Sequence, residues 1–288
     1  MRFALTVLTL ISLLALVCPS DCESLERTAY LFRLDDTTYL SVPLAGPGSG
    51  YLEPTIINDF DWSPVGSTMS PDGRILTMNA GTDELVAVTL GTGEVETLSV
   101  LDADVYPYES DLFWGVDGSL FFHSSNSGDT DFFTVDSSSG LMTLRGTSTE
   151  AFDTIERHGD QYFGGTHNSF WRIDSQTYEA THIRTYAGTF SSCILWGLAS
   201  VGANLWFGMS CSSSGGPDTT TIGTIDPVSG QLSEYGFLLD VSYTDSYLAL
   251  EVIEQPSSPA PIPTLLPIGQ VLLVLSFMVV GALMSLRR

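Results

Sequence analysis

The residues of this chain that could perform acid–base or metal chemistry are its carboxylates and its four histidines. His123, His158, His167 and His182 are scattered, and no His-x-His or Cys-x-x-Cys pair suggests zinc or iron. There is also no Gly-x-Ser-x-Gly elbow and no phosphate-binding glycine loop. The 34 acidic residues are so numerous that spacing alone selects no glycosidase-type pair. The sequence therefore predicts no catalytic residue, no metal site and no cofactor.

Two weaker candidates each allow two interpretations. Residues 126–131 (Asn-Ser-Gly-Asp-Thr-Asp) space oxygen donors like part of a calcium loop but lack its terminal glutamate, so an acidic turn is favoured. Trp196 and Trp206 could stack on a sugar, but both lie in apolar, strand-like runs, which favours packing between strands.

Two cysteines are placed as if to form a disulfide. Cys193 and Cys211 lie at equal distances on either side of Gly202, the centre of a predicted hairpin turn. In an antiparallel pair such positions face each other, with Cβ atoms about 4.5–5.5 Å apart. An oxidising compartment would let them bond; two buried free thiols are the alternative. Cys22 is left without a partner.

The C-terminal end predicts a membrane span. Residues 268–286 form an uncharged apolar run of 19 residues, about 29 Å of α-helix, close to the roughly 30 Å core of a bilayer. Arg287 and Arg288 follow and predict a cytoplasmic C-terminus. A buried core helix is the alternative, but it would be amphipathic.

The same segment resembles the IPTL-CTERM sorting domain of bacterial proteins. The matching positions are an Ile-Pro-Thr-Leu motif, a glycine after a three-residue spacer, and a basic end: Ile262, Pro263, Thr264, Leu265, Gly269, Arg287 and Arg288. The spacer itself, residues 266–268, is Leu-Pro-Ile where the family usually has Ser-Glu-Trp. The resemblance implies an exported Gram-negative protein that envelope sorting machinery handles, and it is silent about the rest of the chain.

The N-terminal end agrees with export. Met1 and Arg2 precede an apolar run over residues 3–17, the layout of a secretory signal peptide, with cleavage expected after Ser20. Cys18 also suggests a lipoprotein, but Val17 stands where lipoprotein processing needs a small residue. The expected divisions are a signal peptide (1–20), an ectodomain (21–253), a Pro/Ser linker (254–261) and the sorting and transmembrane segment (262–288).

The ectodomain is strongly acidic. Residues 21–254 contain all 34 acids and seven arginines, which leaves 27 net negative charges, and the chain has no lysine. Such a surface repels phosphate backbones, so nucleic acid is not expected as a partner. Because 43% of residues are hydrophobic, the domain can still bury a core.

A short phrase repeats along the ectodomain. Val-Asp-Ser-Ser-Ser-Gly at 135–140 returns as Ile-Asp-Pro-Val-Ser-Gly at 225–230, with weaker copies whose second residues are Asp35, Thr89 and Asp174. Each copy predicts a β-hairpin turn between strand-like runs. A second hairpin precedes most copies, with turns at 72–73, 117–118, 159–160 and 202–204. Two hairpins in about 40–50 residues match a propeller blade.

The predicted fold is therefore all-β: a β-propeller with five blades, or six as second choice, plus one C-terminal transmembrane helix. The chain resembles bacterial β-propellers with a strand, Ile-Asp-x-x-Ser-Gly, strand repeat. Residues 247–253 and the Asp35 phrase each look like part of a blade, and together they would close the ring and hide two edge strands. An open sandwich is the alternative.

Two functions fit this fold, because propellers host both binding proteins and enzymes. The first is an exported, envelope-anchored and non-catalytic propeller that binds a glycan, a protein or a cation. The alternative is a carboxylate-dependent enzyme acting on a polysaccharide at the central tunnel. The absence of a nucleophile or metal motif favours binding, whereas acids with raised pKa converging in the tunnel would favour the enzyme.

Overall fold

The computed structural model describes residues 25–33, 37–44, 46–102, 110–126, 128–211, 218–240 and 247–256. Their regular structure is β, apart from one 3₁₀ turn at Gly188–Phe190, and Arg27–Glu254 form one compact unit. In this part of the chain, no helix has the length and apolar character that a bilayer crossing requires. The predicted signal peptide, Cys18, Cys22, residues 257–261 of the linker and the sorting segment (262–288) lie outside the described residues.

The strands form five four-stranded sheets, which are the blades of a β-propeller, so the all-β, five-bladed prediction is confirmed. Four blades follow the chain from inner to outer strand. Blade 2 contains β4 (Pro64–Met69), β5 (Ile75–Asn79), β6 (Glu84–Val88) and β7 (Val95–Val100). Blade 3 contains β8 (Ser110–Trp114), β9 (Leu120–Asn126), β10 (Asp129–Val135) and β11 (Met142–Ser148). Blade 4 contains β12 (Thr154–His158), β13 (Gln161–Thr166), β14 (Ser169–Ile173) and β15 (Ala180–Thr185). Blade 5 contains β16 (Cys193–Val201), β17 (Asn204–Cys211), β18 (Asp218–Ile225) and β19 (Leu232–Asp240).

Blade 1 is assembled from both ends of the ectodomain. Its strand order is β20-β1-β2-β3, made of β20 (Tyr247–Pro256), β1 (Leu25–Arg33), β2 (Thr38–Leu44) and β3 (Thr55–Asp59). Arg27 Nε in β1 donates a 2.7 Å hydrogen bond to Glu254 Oε1 in β20. The expectation that residues 247–253 complete a shared blade is therefore confirmed, and β20 continues to Pro256.

Five separate apolar cores hold the ring, one between each pair of neighbouring blades. Phe32 and Tyr39 of blade 1 pack with Val86 of blade 2, for example, and Trp206 of blade 5 packs with Val252 of blade 1. The remaining three cores join blades 2 and 3, 3 and 4, and 4 and 5. Strand residues alternate between the two cores on either side of a blade, which explains why both faces of the inner strands are apolar.

The repeated phrase forms the turn between the third and fourth strands of blades 2 to 5. In blade 3, Asp136 Oδ1 accepts hydrogen bonds from the backbone nitrogens of Ser138 (2.9 Å) and Ser139 (3.2 Å). The Asp136 carbonyl accepts another from Gly140 N at 2.8 Å. The hydrogen bond from the Ser138 hydroxyl (2.6 Å), and then the two from backbone nitrogens to Oδ1, stabilise the carboxylate as an anion and lower the pKa of Asp136. The phrase is thus an aspartate-capped turn.

Each of these turns also rests on the outer strand of the preceding blade. A Cβ on Gly140 would overlap the carbonyl oxygen of Val100 in β7. Asn58 in β3 donates to the Gly93 carbonyl at 3.0 Å, and Tyr186, just after β15, donates to the Gly230 carbonyl at 3.0 Å. The repeated phrase therefore has a structural role in each blade: its turn contacts the outer strand of the preceding blade and joins the two blades.

The prediction for the Asp35 phrase, of which residues 34–36 lie outside the described residues, placed it in the wrong hairpin. It lies between β1 and β2, the second and third strands of blade 1, although the other copies lie between third and fourth strands. In blade 1 that later connection is residues 46–54, where Gly48 N donates to Glu234 O at 3.0 Å and Leu52 N to Phe237 O at 2.8 Å. Asp and Thr suit any tight turn, so composition did not reveal which hairpin this one was.

Cys193 and Cys211 form a disulfide, with Cα atoms 4.0 Å apart on β16 and β17, as the sequence predicted. The two cysteines lie opposite each other for a reason that the symmetry about Gly202 does not give. The ladder nearest the turn pairs Val201 with Asn204, and a bulge between Leu195 and Gly197 shifts the register by one residue. Only that bulge brings the two cysteines opposite each other.

Two glycine substitutions should separate backbone strain from contact between blades. Gly140 and Gly118 have nearly the same φ, 75° and 79°, but a Cβ on Gly118 meets nothing within 4 Å. We expect Gly118→Ala to lower the free energy of unfolding by about 1 kcal/mol through strain alone. Gly140→Ala should lower it by several kcal/mol, because Val100 must also move. Urea denaturation of both variants checks this, and equal losses would contradict the contact between blades.

Candidate functional site

One chain of hydrogen bonds joins the inner strands of all five blades at the ring axis. Ser67 Oγ (β4) donates to Glu251 Oε1 (β20) at 3.0 Å, and Ser67 N donates to Asp111 Oδ1 (β8) at 2.8 Å. Thr154 Oγ1 (β12) donates to Asp111 Oδ2 at 2.7 Å, and Leu198 N (β16) donates to Thr154 Oγ1 at 3.1 Å. We call these five residues the axial chain.

A glycine bulge makes the centre of the axial chain possible. The register of β4 shifts between Val65 and Ser67, and Gly66 there has a φ of 59°. A Cβ on Gly66 would lie 2.6 Å from Asp111 Cα, so only glycine lets the two inner strands approach this closely. The close approach is what brings Ser67 N within reach of the Asp111 carboxylate.

Burial changes the acidity of the axial carboxyls. Asp111 and Glu251 are only 5% and 7% exposed. Burial raises the pKa of Asp111 to about 7, although hydrogen bonds from Thr154 and Ser67 oppose the shift. Burial likewise raises the pKa of Glu251 to about 8, with repulsion from Asp111 adding to the effect.

Glu156, in β12, belongs to the same group of acids. Burial, and then the charges of Glu251 and Asp111, raise its pKa well above the ordinary value. Unlike the other two it keeps part of its surface exposed. Three carboxyls with raised pKa therefore meet at the axis, and at neutral pH repulsion and burial keep protons on the group.

Sequence reasoning did not single out Asp111, Glu156 or Glu251. Asp111 is the one acid of a largely apolar strand, but Glu156 lies in the mostly polar β12, and Glu251 shares β20 with Glu254. What the three acids have in common is their place on the first strand of a blade, which is known only once the strand order is known. In a chain with 34 acids, that signal is hidden until the inner strands are identified.

The candidates that the sequence did name are spread over the ring. His123 is fully buried, His158 Nδ1 lies 2.9 Å from Ser200 Oγ, and His167 sits in the β13–β14 turn. Of residues 126–131, Asn126 ends β9 and Asp129 begins β10, and Ser127 lies outside the described residues. Across the described ranges, no three His, Cys, Asp or Glu side chains are grouped to hold a metal ion. Trp196 and Trp206 are 5% and 0% exposed, so the packing interpretation is confirmed for both.

Several clefts lie away from the axis. The Trp62 cleft, about 670 Å³, is on blade 2 and is lined by Trp62, Asp61, Asn79 and Glu84, among others. Phe60 stacks on the indole of Trp62 at 4.7 Å between ring centroids. With two carboxylates in its lining, this cleft has the acidic character of the whole surface.

The Arg172 cleft, about 490 Å³, lies between blade 4 and the β18–β19 turn of blade 5. Arg172, His158 and His182 line it together with Gln161 and Thr181, and its lining contains no acidic residue. A cleft lined by an arginine and two imidazoles, without a carboxylate, is unexpected in a chain of net charge −24.

The fold and these sites define a five-bladed propeller with a closed, carboxyl-lined axis and clefts towards its rim. No family model and no curated protein matches the sequence. Among solved structures, a nidogen/laminin complex aligns at TM-score 0.46 and 12% identity, over 77% of this chain and 83% of that one. A gluconolactonase from Xanthomonas campestris aligns at TM-score 0.44 and 11% identity, over 72% and 75%. Virginiamycin B lyase from Staphylococcus aureus aligns at TM-score 0.35 and 15% identity, over 71% and 78%. At these values none of them bears on function.

The contribution of the axial carboxyls to the stability of the folded protein should fall as pH rises from about 4 to about 8. Over that range Asp111 and Glu251 keep protons in the folded state that the unfolded chain has released, so rising pH favours unfolding until the folded pKa values are passed. Glu251→Gln cannot titrate yet keeps an oxygen for Ser67. Its stability should change less between pH 5 and pH 8, by roughly 3 kcal/mol, in urea denaturation of the full chain.

The control is Asp160→Asn, which removes one charge from the exposed β12–β13 turn. Its pH dependence should parallel that of the unsubstituted protein. If Glu251→Gln kept the full slope of the unsubstituted protein between pH 5 and pH 8, the assignment of a proton to Glu251 would be wrong.

Proposed function

We propose that this protein is an exported, envelope-anchored β-propeller that binds its ligand without chemistry. The proposal combines the five-bladed fold with the features of the two chain ends: a signal-like N-terminus and an IPTL-type tail with an apolar run and a basic end. The tail would place a helix in the membrane and would be the segment that envelope sorting machinery recognises.

The hydrogen bonding and burial of the axial carboxyls are the observation that supports a non-catalytic function. A glycosidase-type mechanism needs two carboxyls that both reach the scissile bond, one as an acid and one as a base or nucleophile. Both oxygens of Asp111 accept hydrogen bonds from other inner strands, Glu251 accepts one from Ser67, and both side chains are nearly inaccessible. These two acids thus hold the ring together, whereas Glu156 is partly exposed.

The rim clefts supply the places where a ligand can enter. They are open, they have polar and aromatic linings, and they lie between elements that the apolar cores hold rigidly. A glycan, a protein side chain or a cation fits this description, whereas the 27 net negative charges of the ectodomain disfavour nucleic acid.

Binding and catalysis can be separated with the full chain in detergent. We expect the protein to bind members of a glycan or envelope-protein panel and to release no reducing ends from polysaccharides. Release of reducing ends that Glu156→Gln abolished, while its thermal unfolding stayed unchanged, would replace this proposal with the polysaccharide-acting enzyme.

Membrane attachment should depend on the tail alone. The full chain should sediment with membranes, and a chain that ends at Pro256 should be soluble after export, because the only long apolar run downstream of the signal peptide is removed. Ending at Pro256 keeps the contact between Glu254 and Arg27 and so leaves blade 1 complete. Equal sedimentation of the two chains would refute the anchor.

A further inference from the structure

We propose that the Arg172 cleft binds a carboxylate group of the ligand. This inference rests on the proposed binding function and deepens it by naming one site and the chemistry that it recognises.

The first argument concerns the hydrogen-bond and ion-pair partners of the arginine side chains. Acids outnumber arginines about fivefold in residues 21–254, and six of the seven described arginines have a partner. Those six are Arg27, Arg33, Arg74, Arg145, Arg157 and Arg184. The side chain of Arg172, on β14, has no hydrogen bond, ion pair or ring contact with any described residue. The partners of Arg145, Arg157 and Arg184 are a tyrosine and backbone carbonyls, so Arg172 differs from the other six in having no partner at all, and its guanidinium is available to an anion from outside.

The second argument is what surrounds Arg172. The sheet register places it between Phe163 on β13 and Thr181 on β15, in one row across blade 4. The two histidines of the cleft each contact a hydroxyl through one ring nitrogen: His158 contacts Ser200 at 2.9 Å and His182 contacts Thr185 at 2.8 Å. Their other ring nitrogens can bond a ligand.

The shape and chemistry of the cleft fit a carboxylate on a small carrier. A guanidinium presents two parallel N–H donors that match the two oxygens of a carboxylate. Gln161 and Thr181 offer further polar groups, and Phe163, Pro227 and the 86% exposed Val228 offer apolar surface for the carrier. The volume, about 490 Å³, lies within the usual range for small-molecule sites.

The Trp62 cleft does not compete for this role. Its two carboxylates, Asp61 and Glu84, would repel an anion, and they resemble the rest of the surface too closely to indicate a particular ligand.

Titration of the full chain in detergent with D-glucuronate and with Nα-acetyl-glutamate amide, followed by saturation-transfer NMR, tests the proposal. If only glucuronate binds, the carboxylate of the ligand belongs to an acidic sugar. If only Nα-acetyl-glutamate amide binds, it belongs to an acidic side chain. If both bind, the cleft recognises a carboxylate on either carrier. Glucose is the neutral control and should bind at least about tenfold more weakly than glucuronate.

Variants tie the binding to Arg172. Arg172→Gln should weaken carboxylate binding at least about tenfold, and Arg172→Lys should weaken it less, because it keeps the charge but loses the fork. Arg74→Gln removes the same charge from blade 2 and should leave the affinity unchanged within about twofold.

Three results would overturn the proposal: no binding of either carboxylate, glucose binding as tight as glucuronate binding, or equal affinity in Arg172→Gln. A protein that still bound members of the glycan or protein panel would then keep its proposed function and lose only this site. Release of reducing ends would instead remove the proposed function itself.

Discussion

The hydrogen bonds of the axial chain are the constraint on which the other parts of this molecule depend. Asp111 accepts from blade 2 through Ser67 and from blade 4 through Thr154, so a single carboxylate connects three blades. Glu251 and Leu198 extend the connection to blades 1 and 5. Removing one partner would leave a buried polar group unsatisfied, which is far more destabilising than the modest gain from any one bond.

A second set of contacts between neighbouring blades lies farther from the axis. There, the turn between the third and fourth strands of each of blades 2 to 5 rests on the outer strand of the preceding blade, and residues 46–54 do the same for blade 1. Between the axis and these turns lie the five apolar cores. Each blade is thus held both by hydrogen bonds at the axis and by turn contacts farther out. The walls of the rim clefts are therefore rigid, which lowers the conformational entropy lost when a ligand binds.

Much of the fold followed from local chemistry, and most of the candidate sites did not. Turn residues with strand-like flanks predicted the hairpins, and their spacing predicted the blades, because both are properties of short segments. The pairing of Cys193 with Cys211 was also predicted, although it depended on a bulge that the sequence did not reveal. By contrast, Asp111 and Glu251 meet across 140 residues of chain, and the isolation of Arg172 depends on where every acid lies. Such contacts between distant residues exist only once the ring is closed, so no short sequence pattern predicts them.

The composition of blade 1 has a consequence for the timing of folding. Its inner strand, β20, is the last part of the ectodomain to leave the ribosome, and its partner β1 is among the first. Blades 2 to 5 can each form from continuous sequence, but the final seam requires two strands separated by more than two hundred residues. Contacts this distant form slowly, because the loop that joins them must first be ordered. Until β20 pairs with β1 the chain exposes two open sheet faces, so the ectodomain stays susceptible to proteases and to chaperones until this seam closes.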